Sequence, residues 1–185
     1  MYDAAPSAPP LLPPPGRYAD LGRGSIIDRR KAVNAMLRYP RVEELRSVVY
    51  ACGEDRYLVT ATTSIWEAGP VARLPWDVAD EELGYAVLDS LLQYHAHPPP
   101  PRNGGVRTWR ALQASGARSR KRFKEISNYV DLRTIGSGIV ICAGDLPGGV
   151  FVGQLASIAP APAEIGGLVR KLVGLWRTLA PQATA

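Results

Sequence analysis

The chain has 185 residues, 46% of them apolar and 21% charged, which suits one globular domain with a buried core. No apolar run approaches the roughly 18–20 residues that cross a bilayer, and the proline-rich start has neither the basic nor the apolar region of a secretion signal. The net charge is +5, but it alternates from +5 in residues 16–42 to −7 in 43–100 and +7 in 101–133. This composition argues against a membrane-spanning protein and a uniformly basic nucleic-acid binder, so we expect a soluble, cytoplasmic protein.

The beginning of the chain differs in composition from the rest. Six of the 17 prolines fall within the first 15 residues, and residues 1–24 hold few large apolar side chains, so we expect disorder or polyproline-like structure there. Residues 26–40 predict a short basic helix that Asp28 caps and Pro40 ends. We therefore divide the chain into an N-terminal extension, a single α+β domain and a tail, residues 1–41, 42–180 and 181–185.

Two strands and a turn open the domain. The runs "RSVVYAC" and "RYLVTATT" are rich in Val, Tyr and Thr, and the "GED" between them predicts a hairpin turn. The segment "PVARLPW", residues 70–76, predicts a short edge strand or an extended loop, because proline stands near both of its ends.

The first strong helix follows this segment. Asp77 or Asp80 caps it, Glu81 and Glu82 occupy its first turn, and it ends before the "HPPPP" of residues 97–101. The same four acids could ligate magnesium. Consecutive acids at a helix start point in different directions, however, so capping and the helix dipole explain them more simply.

A basic helix, a second hairpin and a closing helix make up the rest. The run "SRKRFKEIS" predicts the basic helix, after one turn of helix near Trp109. The runs "NYVDLRTI" and "GIVICAG" predict a hairpin, "GGVFVGQ" adds a fifth strand, and residues 162–179 have the apolar spacing of a helix. Together these elements predict an α+β fold, in which a twisted, mainly antiparallel sheet of about five strands and two hairpins packs with two to four helices.

Residue types that build common active sites are sparse. Cys52 and Cys142 stand alone, so we expect reduced, strand-borne cysteines. A disulfide between them is an alternative only if their strands are neighbours. His95 and His97 lie beside four prolines, without a third metal ligand nearby. No nucleophile motif, phosphate loop or zinc spacing is found, so we assign no catalytic residue, no metal and no cofactor.

The run "RSRKRFK" at 118–124 is the strongest sign of nucleic-acid contact. Phosphates attract basic groups and an aromatic ring stacks on a base, which makes a single-stranded nucleic-acid-binding protein the alternative function. The helical spacing of Phe123 and Ile126 instead predicts a core anchor whose helix turns its basic face to solvent. The basic residues of this alternative site are Arg118, Arg120, Lys121 and Arg122.

Eight segments, in their order along the chain, resemble a known family. They are "VVYAC", "YLVTATTS", "ADEELGYAVLDSLL", "SRKRFKE", "YVDL", "GIVI", "GGVFVG" and "PAEIGGLVRKLV". Over residues 46–178 the chain is similar to the immunity proteins of bacterial contact-dependent growth inhibition (CDI), specifically the group paired with ribonuclease toxins. The proline-rich first 40 residues and the "HPPPPRNGG" linker depart from the family pattern.

The resemblance implies a non-enzymatic protein with a twisted antiparallel sheet and packed helices. Such a protein would bind the C-terminal toxin domain that a neighbouring cell delivers, forming a heterodimer that covers the toxin's active site and protects the producing cell. Because the chain has no apolar run long enough to span a bilayer, we expect no membrane partner, and self-association stays open.

The acidic block of residues 43–100 is the first candidate for the toxin contact, because carboxylates can imitate the phosphates that a nuclease binds. The sequence pI near 9.4 keeps a second option, in which the toxin is acidic and contacts the basic block of residues 101–133. The residues that we select in the acidic block are Glu54, Asp55, Trp66, Glu67, Trp76 and Asp77.

Two helices open in the same way, with Glu82-Leu83-Gly84 in one and Glu164-Ile165-Gly166 in the other. The two copies are too short to be a repeat. Glycine costs roughly 0.8–1 kcal/mol relative to alanine inside a helix. We therefore expect Gly84 and Gly166 to be structural, and each to let its helix lie close to the sheet at its first turn.

Overall fold

The computed structural model describes residues 45–62, 67–93, 109–135, 138–143, 152–155 and 161–179. The predictions for the N-terminal extension, the basic helix of residues 26–40, the histidines and the tail lie outside these ranges. Within them, the strands are β1 Arg46–Cys52, β2 Arg56–Thr62, β3 Glu67–Pro75, β4 Ser127–Ile135, β5 Gly138–Ala143 and β6 Val152–Leu155. The helices are α1 Asp80–Gln93, α2 Arg110–Ser115, α3 Arg120–Ile126 and α4 Pro162–Leu179.

The strands form one antiparallel sheet in the order β3-β2-β1-β4-β5-β6. The two predicted hairpins, β1–β2 and β4–β5, are joined through the pairing of β1 with β4. The prediction of an α+β fold with a mainly antiparallel sheet and two to four helices is therefore confirmed. The described part has six strands: the five predicted ones, with β6 as the fifth, and β3, which is a nine-residue edge strand where the sequence predicted a short edge strand or an extended loop.

Strand alternation gives the sheet two apolar faces. One face, with Val49, Val59 and Ile141 among its buried residues, packs against α1 and α4. The other face, with Tyr50 and Leu58, packs against α2 and α3. Burial on both faces explains why β1 and β2 read as nearly continuous apolar runs rather than as alternating ones.

Helices α1 and α4 cross at their first turns, and the two glycines make this crossing. A methyl group built on Gly84 would overlap the carbonyl of Pro162 and lie 2.9 Å from its Cα. A methyl group on Gly166 would overlap the carbonyl of Asp80 and lie 2.9 Å from its Cα. The expectation that these glycines bring each helix close to the sheet is thus wrong: they bring the two helices close to each other.

The two cysteines are free and buried. Cys52 lies on β1 and Cys142 on β5, and β4 stands between the two strands, so they do not meet the condition of neighbouring strands. Burial raises the pKa of the Cys52 thiol to about 11. Both residues are therefore strand-borne, apolar parts of the packing, as predicted.

None of the helices in the described ranges is long and apolar enough to cross a membrane.

Candidate interaction surface

Three segments that are distant in sequence meet at one end of the sheet, which we call the turn end. It is the end at which the β1–β2 turn lies. The strand register places Cys52 between Arg56 and Ser127, and Arg56 beside Pro75, so the end of β3 and the start of β4 lie next to this turn. A hydrogen bond of 2.8 Å from the backbone N–H of Gly53 to the carbonyl of Ile126 fixes the turn against the last residue of α3.

Most of the acidic residues selected from the sequence meet at the turn end. The side chains of Glu54 and Asp55 are 81% and 67% exposed. The backbone N–H of Trp76 donates to the carbonyl of Asp55 over 3.1 Å, and the exposed Asp77 follows. We call Glu54, Asp55, Trp76 and Asp77 the acidic flank. Sequence reasoning placed them in one charge block, and the β2–β3 pairing makes them neighbours.

Trp76 is the fixed point of the acidic flank. Its ring stacks on Tyr57 with centroids 4.7 Å apart, and the guanidinium of Arg177 lies 4.1 Å above its centroid. Arg177 also pairs with Glu54, with 3.2 Å between nitrogen and oxygen, and donates to the carbonyl of Gly53. Helix α4 is thereby attached to the turn. The half-buried ring of Trp76 is held in place by its contacts with Tyr57 and Arg177.

A second arginine of α4 holds the chain between β3 and α1. The Nε of Arg170 donates to Oδ1 of Asp80 over 2.7 Å, and its Nη1 donates to the carbonyl of Trp76 over 3.0 Å. The same guanidinium also donates to the carbonyl of Val78. Asp80 is the first residue of α1, where the helix dipole favours an acid, and Arg170 holds its carboxylate in place.

Glu67 does not belong to the acidic flank. It is the first residue of β3 and only 6% exposed, so the prediction that it lies in an irregular segment is wrong, while its role as a toxin contact stays a prediction. Its Oε1 accepts from the hydroxyl of Tyr50 over 3.0 Å, and its Oε2 accepts from the backbone N–H of Ala111 over 2.7 Å. Glu67 thus accepts a hydrogen bond from a backbone N–H in the first turn of α2, which has no partner within its own helix. Trp66 lies outside the described residues.

An aromatic cleft opens beside the acidic flank. Its cavity volume is about 260 Å³. The ring of Tyr50 lies 5.1 Å from that of Phe123 and 6.2 Å from that of Tyr129, and Phe123 lies 5.3 Å from Trp109, all between centroids. The cleft is defined by five aromatic and three polar residues: Tyr50, Trp109, Phe123, Tyr129 and Trp176, with Lys124, Ser127 and Asn128.

The far side of the cleft is basic. We call Arg118, Arg120, Lys121 and Arg122 the basic flank, and all four are exposed. The Ser119 hydroxyl caps α3 by accepting from the N–H of Arg122. The guanidinium of Arg120 lies 5.9 Å from the centroid of Trp109, which connects the flank to the cleft.

Phe123 is 1% exposed, which confirms its prediction as a core anchor. Its ring belongs to the buried face under α3, so it cannot stack on a base in solvent. The basic helix therefore keeps the charge needed for phosphate contact, but the aromatic group that the sequence offered for stacking is enclosed.

The described residues contain no group of three or more His, Cys, Asp or Glu side chains that could hold a metal ion. Burial raises the pKa of Glu67 and of Tyr57 above their ordinary values. Glu67 is bonded within the fold, and Tyr57 lies under the ring of Trp76. The arrangement at the turn end is thus one of charged, exposed flanks around an apolar cleft, which is suited to binding.

Comparison with known proteins gives a fold but no family. No protein-family model and no curated protein sequence matches this chain. Among solved structures, it is similar to a chain of the CdiA-CT/CdiI toxin and immunity complex from Yersinia pseudotuberculosis, with 15% identity and a TM-score of 0.51. That match covers 72% of this chain and 97% of the other. A protein of unknown function from Neisseria meningitidis is similar at 15% identity and a TM-score of 0.52, covering 72% and 95%.

The likeness agrees with the family resemblance seen in the sequence, and at this identity it concerns the fold alone.

Sequence reasoning missed the aromatic cleft. Its ring residues come from four separate elements, the strands β1 and β4 and the helices α3 and α4, together with the residue before α2. No spacing rule along the chain brings such residues together, so the only available signal was the richness in aromatic side chains of the surrounding segments.

Proposed function

We propose that this chain is a CDI immunity protein. It binds the C-terminal toxin domain of its system in the cytoplasm of the producing cell, covers the toxin's active site and acts without catalysis. The observation that supports this proposal is the fold likeness to a chain of a toxin and immunity complex, which covers nearly the whole of that chain.

The charged turn end is the surface that we propose for the contact. Glu54, Asp55 and Asp77 present carboxylates to solvent within one small area, and Arg170 and Arg177 hold the backbone beneath them. A nuclease site carries basic groups that receive phosphates, so an exposed acidic group of this kind is electrostatically complementary to it. We therefore propose a nuclease as the toxin.

Complex formation is the direct test. The full chain is co-expressed with the C-terminal domain of the exoprotein encoded directly upstream. We expect a one-to-one complex to co-purify, and cells that express the toxin domain to grow only when this chain is present. Absence of a complex together with absence of protection would remove the proposal.

Nucleic-acid binding by the basic flank is the weaker candidate, since Phe123 is enclosed in the core. It predicts binding of single strands that weakens steeply as salt is raised. Replacement of Arg118, Arg120, Lys121 and Arg122 by alanine should abolish such binding.

A further inference from the structure

We propose that the aromatic cleft is the anchor pocket of the toxin interface and receives one large apolar or aromatic side chain of the toxin domain. This inference rests on the proposed function and adds to it the place where binding energy is concentrated. In protein interfaces a few buried side chains near the centre dominate the affinity, and charged groups at the rim contribute mainly to rate and specificity.

The walls of the cleft are fixed before any partner arrives. The hydroxyl of Tyr50 donates to Glu67 over 3.0 Å and accepts from Nε1 of Trp109 over 3.1 Å. Phe123 packs between these two rings and is 1% exposed. A pocket whose side chains are already ordered loses little conformational entropy when it is filled, so a guest side chain retains most of the gain from its burial.

The size of the cleft fits one side chain. Its volume of about 260 Å³ lies below the roughly 300–1,000 Å³ of clefts that hold complete small molecules. Only three of its lining residues, Lys124, Ser127 and Asn128, are polar. The Ser127 hydroxyl already donates to the carbonyl of Phe123 over 2.6 Å, and Asn128 supplies an amide. Apolar atoms therefore make up most of the wall, which is suited to an apolar or aromatic guest.

The position of the cleft favours a protein as the partner. On one side Trp176 lines the cleft, while the next residue, Arg177, pairs with Glu54 of the acidic flank. On the other side Lys124 lines the cleft and Arg120 contacts Trp109. A partner that covers the cleft meets the carboxylates of the acidic flank on one side, two of them paired with arginines, and the basic groups of Lys124 and Arg120 on the other. A protein surface can carry both complementary signs, whereas a nucleic acid carries only negative charge.

The test fills the cleft without altering the charged flanks. Asn128→Trp adds a ring to the wall of the cleft on the face of α4, where Trp176 also lies, and Gln113→Trp adds the same group at an exposed position on α2 that does not line the cleft. Binding of the purified upstream-encoded toxin domain to the full chain is measured by titration calorimetry, and folding is checked by thermal unfolding. We expect at least about a hundredfold loss of affinity for Asn128→Trp, on the scale of a lost hot spot, and less than about threefold for Gln113→Trp.

The outcomes separate this inference from the proposed function. If the unsubstituted chain does not bind the toxin domain, the proposed function fails. If it binds, and folded Asn128→Trp binds with equal affinity, the anchor pocket is overturned while the immunity function stands. Should Asn128→Trp not fold, Tyr129→Ala, which widens the cleft instead of filling it, is expected to weaken binding at least about tenfold, and unchanged binding would equally overturn the pocket.

A separate titration addresses a nucleotide as the occupant. AMP and a short single-stranded RNA are added to the full chain and to Asn128→Trp. We expect no saturable binding of either to the cleft. Binding that is lost in Asn128→Trp, while the toxin domain still binds with unchanged affinity, would assign the cleft to a nucleotide and overturn the inference.

Discussion

Glu67 connects β3, β1 and the start of α2 through a single buried carboxylate. One oxygen accepts from the Tyr50 hydroxyl and the other from the backbone N–H of Ala111. Because the N–H groups of the first helical turn have no partner within the helix, this side chain supplies from the sheet what a capping residue would supply locally. The cap position itself is Trp109, which makes no capping hydrogen bond through its side chain.

Replacing Glu67 by alanine should therefore destabilise the fold. The N–H of Ala111 and the hydroxyl of Tyr50 would lose their acceptor inside the protein, and a buried group left without a partner costs about 1–3 kcal/mol. The free energy of unfolding, measured with urea, should fall by this amount. Glu67→Gln keeps an acceptor at the same place and should lose less. Equal stability of the alanine variant and the unsubstituted chain would contradict the connecting role.

The pH dependence of stability gives an independent check on Glu67. Burial raises its pKa above the ordinary value of 4.5, although its hydrogen bonds act in the opposite direction. The folded state therefore binds the proton more tightly than the unfolded chain. This contribution to stability is complete below the ordinary pKa and is lost as pH rises through the raised value.

Glu67→Gln lacks this titration, and the other carboxyl groups are common to both proteins. We therefore expect the difference in unfolding free energy to shift in favour of Glu67→Gln as pH rises from about 4.5 through the raised pKa. A difference that stays constant with pH, measured by urea unfolding from pH 4 to pH 8, would show that the carboxyl is not perturbed in the fold.

At the scale of elements, the crossing of α1 and α4 defines the layer on one face of the sheet. Each helix begins with an acid in its first turn and has a glycine at the point where the other helix begins. Arg170 of α4 then bonds to Asp80 and to the backbone of Trp76 and Val78. Backbone contact at the crossing and an arginine clamp beside it together hold the chain that carries the acidic flank.

Gly84→Leu and Gly166→Leu should each destabilise this crossing. The new Cβ meets backbone atoms of the partner helix, which cannot rotate away as a side chain can, so the helices must separate. Overpacking of this kind costs about 1–3 kcal/mol or more. Thermal unfolding should show a lower Tm for both variants, and any folded fraction should still bind the toxin domain.

Gly174→Ala is the matched control on α4. A Cβ at Gly174 meets nothing within 4 Å, so this change should stabilise the helix by roughly 0.8–1 kcal/mol. A Gly84→Leu or Gly166→Leu variant with unchanged stability but lost toxin binding would assign these glycines to the contact surface instead of the scaffold.

At the scale of the whole molecule, the turn end is the place where charged side chains of both signs lie near one another, with Glu54 paired to Arg177 and Asp55 paired to Arg56. The acidic flank and the basic flank lie on two sides of the aromatic cleft, held there by the pairing of β1 with both β2 and β4. Exposed charges of this kind act mainly on the rate of association, because they steer the approach of a charged partner.

Reversing charge on one flank at a time identifies the one that steers the toxin. Glu54→Lys with Asp55→Lys changes the charge by four units, and Arg118→Glu with Lys121→Glu changes it by four in the opposite sense. We expect the acidic-flank variant to associate about tenfold or more slowly at low salt, with the difference disappearing at high salt. Stopped-flow mixing with the toxin domain measures both. Slower association of the basic-flank variant alone would indicate an acidic toxin.

Local sequence reasoning placed most elements correctly. The β-branched and aromatic runs of β1, β2, β4 and β5, the acids at the start of α1 and the apolar spacing of α4 are signals within one segment, and the structure has an element at each of them. Phe123 was recognised as a core residue for the same reason, since its spacing along one helix is sufficient to predict a buried face.

The positions that were misjudged depend on residues far away in the chain. A carboxylate is buried only where hydrogen-bond donors surround it, and the donors to Glu67 are the Tyr50 hydroxyl and the backbone N–H of Ala111. A helical glycine shows that something approaches closely, but only the packed structure shows that the approaching backbone is another helix.

The sequence by itself thus determined the α+β class, the elements and the charge of each segment, because these follow from local propensity and composition. The sheet register and the helix crossing decided which charges share a surface and how the aromatic cleft forms between them. Those contacts join residues that no local pattern relates.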